Sequence, residues 1–263
     1  MALIASTGPQ QGYKPVVGPG DSDLDYIGFG LLSLSDGQSW EHTFVGCEGL
    51  LVVLGGRCDV NAANQTWSDV GERVNVFDGK PSAVYVPPGT ECRVTGRGVV
   101  EIAVCTALAD SAGEVALIAP GDVGVRDVGD GTFERQIYDI LTPESLPAQR
   151  LIVGETYNPP GLWSSYPPHK HDEHRPPEES KLEEVYHFRV KPPEGFGIQR
   201  VYGEDFDETY SVQDRDTVVI TRGFHPVASA PGYLLYYLWM LAGEERVMRP
   251  WEDPVHAWVS SAG

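Results

Sequence analysis

The chain is a succession of short β-branched and aromatic runs, each cut after a few residues by Gly, Pro, Asn or Asp. That punctuation limits the fold more than any other feature. Gly28 to Leu34, Glu48 to Leu54, Arg73 to Phe77, Ala83 to Val86 and Val99 to Ala107 read as strands in the first half. The second half offers Phe133 to Ile140, Leu151 to Tyr157, Ser164 to His171, Glu184 to Val190, Gly197 to Tyr202, Thr209 to Val212, Thr217 to Ile220 and Tyr233 to Leu241. Thirty glycines and twenty-one prolines supply the turns, and no long run has helical spacing. An all-β chain of barrels or sandwiches is expected.

The two series repeat each other faintly. Glu48-Gly49-Leu50-Leu51-Val52 sits in its half as Glu184-Val185-Tyr186-His187-Phe188 sits in the other. Val84 to Cys92 likewise parallels Val218 to His225, with Cys92 where the second half has His225. A duplicated barrel follows, whose first copy has lost a site that the second keeps. The expected divisions are an extended arm at 1–25, a degenerate barrel at 26–130 that ends in a connecting region from Ala109, and a metal-binding barrel at 131–263.

Metal-site residues cluster between Pro167 and His225. Side chains two apart on a strand share a face, so His169 and His171 can present two imidazoles to one point. On the next strand Glu184, Tyr186 and Phe188 share a face, and Glu183, Val185, His187 and Arg189 take the other. His225 follows a β-branched run and a turn at Gly223. Three imidazoles and a carboxylate suit a divalent ion, Zn or Mn first, Fe or Ni next. A single H-x-H also arises by chance, and its strand context is what favours the metal. His42, His174, His187 and His256 are set aside for want of a partner or for the wrong face.

Charge narrows the partner. A formal net charge of −19, with five lysines among nineteen basic residues, argues against nucleic acid and anionic membranes. No segment approaches the roughly 20 apolar residues needed to span a bilayer, and the first residues lack a leader pattern, so a cytoplasmic protein acting on a small molecule is expected. Cys47, Cys58, Cys92 and Cys105 contain no C-x-x-C pair and read as buried small hydrophobes.

The H-x-H, later Glu and third His resemble the cupin superfamily, double-stranded β-helix (jelly-roll) barrels. Two departures, the long Asp172 to Glu183 insertion and the shortened Arg222-Gly223-Phe224-His225, make the chain similar to one bicupin family, the 5-deoxy-glucuronate isomerases of myo-inositol catabolism. The likeness runs from about 133 to 258, through Trp163 to Asp172, Leu182 to Tyr186, Gly195 to Tyr202 and Pro231 to Leu238.

The resemblance implies His169, His171, Glu184 and His225 as metal ligands. Glu178, Glu179 and Glu183 compete with Glu184, which is preferred because it directly precedes the Val185-Tyr186 strand. The implied reaction is an aldose–ketose isomerisation through a metal-stabilised enediolate. Glu155 is the candidate base, with an ion pair as the alternative. Arg200 and Arg135, then Arg222, are candidates for the substrate carboxylate, and each also fits a surface ion pair. Tyr186 and Tyr237 are candidates to line the barrel. A cupin dioxygenase and a non-catalytic sugar-acid-binding bicupin are the rival uses, and a homo-oligomer is expected.

Overall fold

The computed structural model describes residues 2–6, 8–110 and 113–261. Nearly all regular structure is antiparallel strand, and among the described residues the helical pieces are short 3-10 turns at Pro120–Asp122, Gly131–Phe133 and Ala257–Ser261. The first barrel is one sheet in the spatial order Gly12–Val17, Ile27–Leu34, Glu91–Leu108, Cys47–Ala62, Ala83–Val86, Ala116–Ile118. Ser39–Thr43 pairs with Glu91–Leu108, and Gln65–Val70 pairs with Cys47–Ala62.

The second barrel has a large sheet in the order Ala2–Ile4, Thr217–Ile220, Glu183–Lys191, Leu234–Ala242, Ile152–Asn158, Arg135–Leu141, Gly124–Val128. A smaller sheet of Trp163–Ser164, Val227–Ser229, Gly197–Tyr202 and Asp207–Val212 faces it. His169–Lys170 pairs with Trp251–Glu252.

Continuous apolar runs such as Leu50 to Leu54 make sense once both strand faces are covered. Leu51 and Val53 pack inside the first barrel, while Leu50 and Val52 belong to a core shared with Val153, Val185, Val219 and Tyr236 of the second. Tyr186, Phe188, Val218 and Tyr237 fill the second barrel. Each fully buried Leu, Val or Phe contributes about 1.5–3 kcal/mol, so the shared core is a substantial part of what holds the two barrels together.

Several expectations need correction. The first 25 residues are strands as well as arm: Leu3 pairs with Val218 of the second barrel, and Tyr13 with Leu32 of the first. Arg73 to Phe77 is a loop, because Asn75 and Asp78 side chains accept the Phe77 and Val74 N–H groups that a ladder would need. Ser164 to His171 is broken after Ser164, where Ser165 takes φ +48° and Pro167 and Pro168 lack N–H donors. Within the connecting region, Ala116–Ile118 joins the first sheet and Gly124–Val128 the second. The four cysteines are free thiols, as expected, with Cys58, Cys92 and Cys105 buried and Cys47 half-buried.

Candidate metal centre

Glu183–Lys191 lies between Thr217–Ile220 and Leu234–Ala242, and its alternation sends Glu184 inward with Tyr186 and Phe188. His225 is delivered by the turn at Gly223, whose φ is +87°. A Cβ there would fall 2.6 Å from the Tyr202 carbonyl oxygen and from the Phe206 ring, so only glycine fits. Asp172 Oδ2 accepts the Gly223 N–H at 2.6 Å, tying the loop after H-x-H to the His225 turn. Gln199 Nε2 donates to the His225 carbonyl at 2.8 Å.

His171 Nε2 and His225 Nε2 lie 3.1 Å and 3.2 Å from the same atom, Glu184 Oε2. All three residues are buried. Each histidine's other nitrogen faces a carbonyl oxygen at 2.8 Å: His171 Nδ1 meets Leu182 O, and His225 Nδ1 meets Gly223 O. Those carbonyls accept Nδ1–H, which leaves an Nε2 lone pair on each neutral ring. Two imidazole nitrogens and a carboxylate oxygen then converge on one point, where a positive charge, as a proton on His171 or a metal ion in its place, offsets the repulsion among them. His225 Nε2 is buried without a hydrogen bond, as a ligand atom would be. The donor set of imidazoles and carboxylate suits a first-row divalent ion.

His169 stands beside this tight group of three, with its ring centroid 4.8 Å from that of His225 and 6.4 Å from that of His171. Burial, reinforced by His225 and His171, holds its pKa well below the usual imidazole range, so it too is a neutral donor. Burial pushes the Glu184 carboxyl up, but His171 and His225 beside it prevail and hold it down at about 2, so it stands as a carboxylate.

Glu184 and His169 close one wall of a cavity of about 570 Å³ that also exposes Arg135, Ser165, Tyr186, Tyr237 and Trp239. Ser165 Oγ is 3.3 Å from the Tyr186 hydroxyl and 3.4 Å from that of Tyr237. Tyr237 also donates to Ser164 Oγ at 3.0 Å. The cavity therefore offers a wall of candidate metal ligands, a band of hydroxyls and, among its arginines, the Arg135 guanidinium, set among aromatic rings.

The sequence profile of the KduI/IolB family matches residues 4–259. The chain belongs to the KduI/IolB family. A protein of Geobacillus thermodenitrificans named 5-deoxy-glucuronate isomerase is 41% identical over 261 residues, covering 98% of this chain and 95% of its own. One of the same name from Bacillus subtilis strain 168 is 36% identical over 242 residues, 91% of this chain and 89% of its own. The crystal structure of an IolB-like protein from Salmonella typhimurium superimposes with a TM-score of 0.94 at 36% identity over 98% of both chains. An oxalate decarboxylase from Lactobacillus farciminis shares the bicupin fold, with a TM-score of 0.67 at 12% identity over 97% of this chain and 88% of its own.

In this KduI/IolB chain only some of the expected site residues meet. Arg135, Tyr186 and Tyr237 line the cavity. Arg200 and Arg222 do not: the half-buried Arg200 and the exposed Arg222 lie on other surfaces, paired with Asp207 and Asp205. Glu155 is excluded as a base at this site, because its fully buried carboxylate faces the core between the barrels. There it accepts from Arg73 at 2.6 and 3.0 Å, from Tyr236 at 2.7 Å and from Tyr157 at 3.2 Å. His42, His174, His187 and His256 all stand apart from the converging group. Ser165 and Trp239 were not singled out from sequence; nothing in their spacing marks them, and only the strand break at Ser165 puts its hydroxyl between two tyrosines.

The repeat is also displaced by one residue from its expected alignment. Glu184 pairs with Ile220 and Leu241, and the residue with the corresponding neighbours, Val86 and Thr106, is Gly49. Glu48 is therefore the counterpart of Glu183. The position in the first barrel equivalent to Glu184 holds a glycine, and a Cβ on it would meet the Phe44 ring at 2.2 Å. Phenylalanine fills the place that the carboxylate occupies in the second barrel.

Proposed function

We propose that this protein is an aldose–ketose isomerase that converts open-chain 5-deoxy-D-glucuronate to 5-dehydro-2-deoxy-D-gluconate with a divalent ion held by His171, Glu184, His225 and His169. The observation that carries the reading is the convergence of His171 Nε2, His225 Nε2 and Glu184 Oε2 at the wall of a cavity lined with hydroxyls. The near-full-length relatives named for this isomerisation support it. When bound, such an ion supplies Lewis-acid stabilisation of the enediolate formed as a proton leaves the hydroxyl-bearing carbon and another reaches the former aldehyde carbon.

The chain's own residues do the rest. Leu182 O and Gly223 O fix the tautomers of two ligands. The Ser165, Tyr186 and Tyr237 hydroxyls are placed to orient the sugar hydroxyls, and Trp239 with the tyrosine rings limits water beside them. Zn or Mn leads among the metals on the nitrogen and oxygen donor set, with Fe or Ni next. The same reading has the protein act in the cytoplasm on a small sugar acid, and the exposed edge strand Gly124–Val128 supports self-association.

The test is anaerobic turnover of 5-deoxy-glucuronate followed by NMR, with native, chelator-stripped and metal-restored protein. Ketose formation that disappears on stripping and returns with metal is expected. Tight metal binding with no isomerisation, or turnover only with oxygen, overturns the reading.

A further inference from the structure

Four arginines face the cavity that ends at Glu184: Arg126, Arg135, Arg246 and Arg249. Arg126 grips Asp139 with Nε at 2.6 Å and Nη2 at 2.9 Å. Arg246 is committed to backbone carbonyls, donating to Leu151 and Leu146 at 2.7 Å each. Arg249 is exposed at the lip.

Arg135 differs from all three. It is half-buried, and its Nη1 donates to the carbonyls of Phe133 and Tyr166 at 3.2 and 3.1 Å. Among the described residues its Nε and Nη2 make no hydrogen bond and the residue joins no ion pair. That Nε/Nη2 edge is the one with which Arg126 holds Asp139 and Arg200 holds Asp207. An arginine with this edge free is notable in a chain with 38 acidic and 19 basic residues. Burial pulls its pKa down, partly countered by Tyr237 and Tyr186. A partly buried guanidinium without a carboxylate is disfavoured until one arrives.

We propose that Arg135 receives the substrate carboxylate on its free Nε/Nη2 edge, so that a uronate lies across the cavity with its acid end at Arg135 and its aldehyde end at Glu184 and His169. This rests on the isomerase reading for the identity of the aldehyde end. It makes Arg135 the specificity-determining residue, selecting sugar acids over neutral sugars through a planar, two-bond contact that lysine cannot reproduce.

Binding, read without turnover, tests it. Titration calorimetry of the metal-loaded full-length protein would compare D-glucuronate with its neutral isostere D-glucuronamide. Wild type is expected to prefer the acid by at least about tenfold, the scale of one charge-assisted contact. Arg135→Gln should bring the two within about twofold, and Arg135→Lys, which keeps the charge and protects against misfolding, should fall between. An undiminished preference in Arg135→Gln, or none in wild type, overturns the proposal. Acid preference lost in Arg135→Gln in a protein that forms no ketose removes the isomerase reading alone; turnover with Arg135→Gln unaffected in KM removes the role of Arg135 alone.

Discussion

Glu48 of the first barrel and Glu183 of the second occupy equivalent strand positions, and each reaches across to cap the other barrel. Glu48 accepts the N–H groups of Gln149, Arg150 and Leu151 at 2.7–2.8 Å, where the chain enters Ile152–Asn158. Glu183 accepts those of Asp25, Tyr26 and Ile27, at the start of Ile27–Leu34. The two barrels thus exchange carboxylate caps along the margin of their shared core. Glu48→Gln and Glu183→Gln each remove charge-assisted hydrogen bonds, and a loss of about 2–3 kcal/mol in urea unfolding is expected for either. Unequal losses, with one variant as stable as wild type, would show that the exchange is not reciprocal in energy.

The Arg73–Glu155 pair predicts a separation of stability from chemistry. Both side chains are almost fully buried, and Glu155→Gln strands the Arg73 charge. A loss of about 3–5 kcal/mol is expected, with kcat per folded molecule unchanged. A variant of normal stability and no turnover would restore Glu155 to the mechanism.

Asp172 is placed to act on the proposed metal site through the backbone. It accepts the Gly223 N–H and is itself held by Lys170. Asp172→Ala frees the turn that aims His225, and metal affinity should fall about 10–100-fold. Chelator competition reads this directly; unchanged affinity would mean that the Gly223 turn holds itself.

His187 gives a pH dependence. Burial, with Arg189 adding, holds its pKa down at about 3, while the unfolded chain titrates near about 6.5. Between these values the unfolded state binds a proton that the folded state refuses. Its contribution is therefore intact above the unfolded pKa and is lost as pH falls, at up to about 1.4 kcal/mol per pH unit. His187→Leu should flatten the stability curve below pH ~6.5 by that slope; parallel curves for variant and wild type would contradict it.

Gly49→Ala probes the lost site. The added methyl meets Phe44, and overpacking should cost about 1–3 kcal/mol without altering metal content. A fall in bound metal would show that the first barrel holds some of it.

Much of this was legible in the chain. Strand and turn chemistry specified an all-β duplicate because Gly and Pro act locally. Glu184, Tyr186 and Phe188 could be put on one face because strand alternation needs no partner to be known. The coarse repeat was visible too, but not its register: Glu48 and Glu184 look equivalent until their ladder neighbours are known, and these put Gly49 opposite Phe44 instead.

Polar partners were the part that the sequence left open. Glu155 reads equally well as a base or an ion-pair residue, and the choice lies with Arg73, 82 residues away. Arg135, Arg200 and Arg222 are chemically identical in the sequence; Asp207 and Asp205 take up two of them, and a broken strand bearing Tyr166 leaves an edge of the third free. Residue types and short-range geometry thus determined the strands, the duplication and the metal-ligand candidates. Which charges met, and which stayed unpaired beside the cavity, was decided only by tertiary structure, because electrostatic pairing depends on distance and burial rather than on order along the chain.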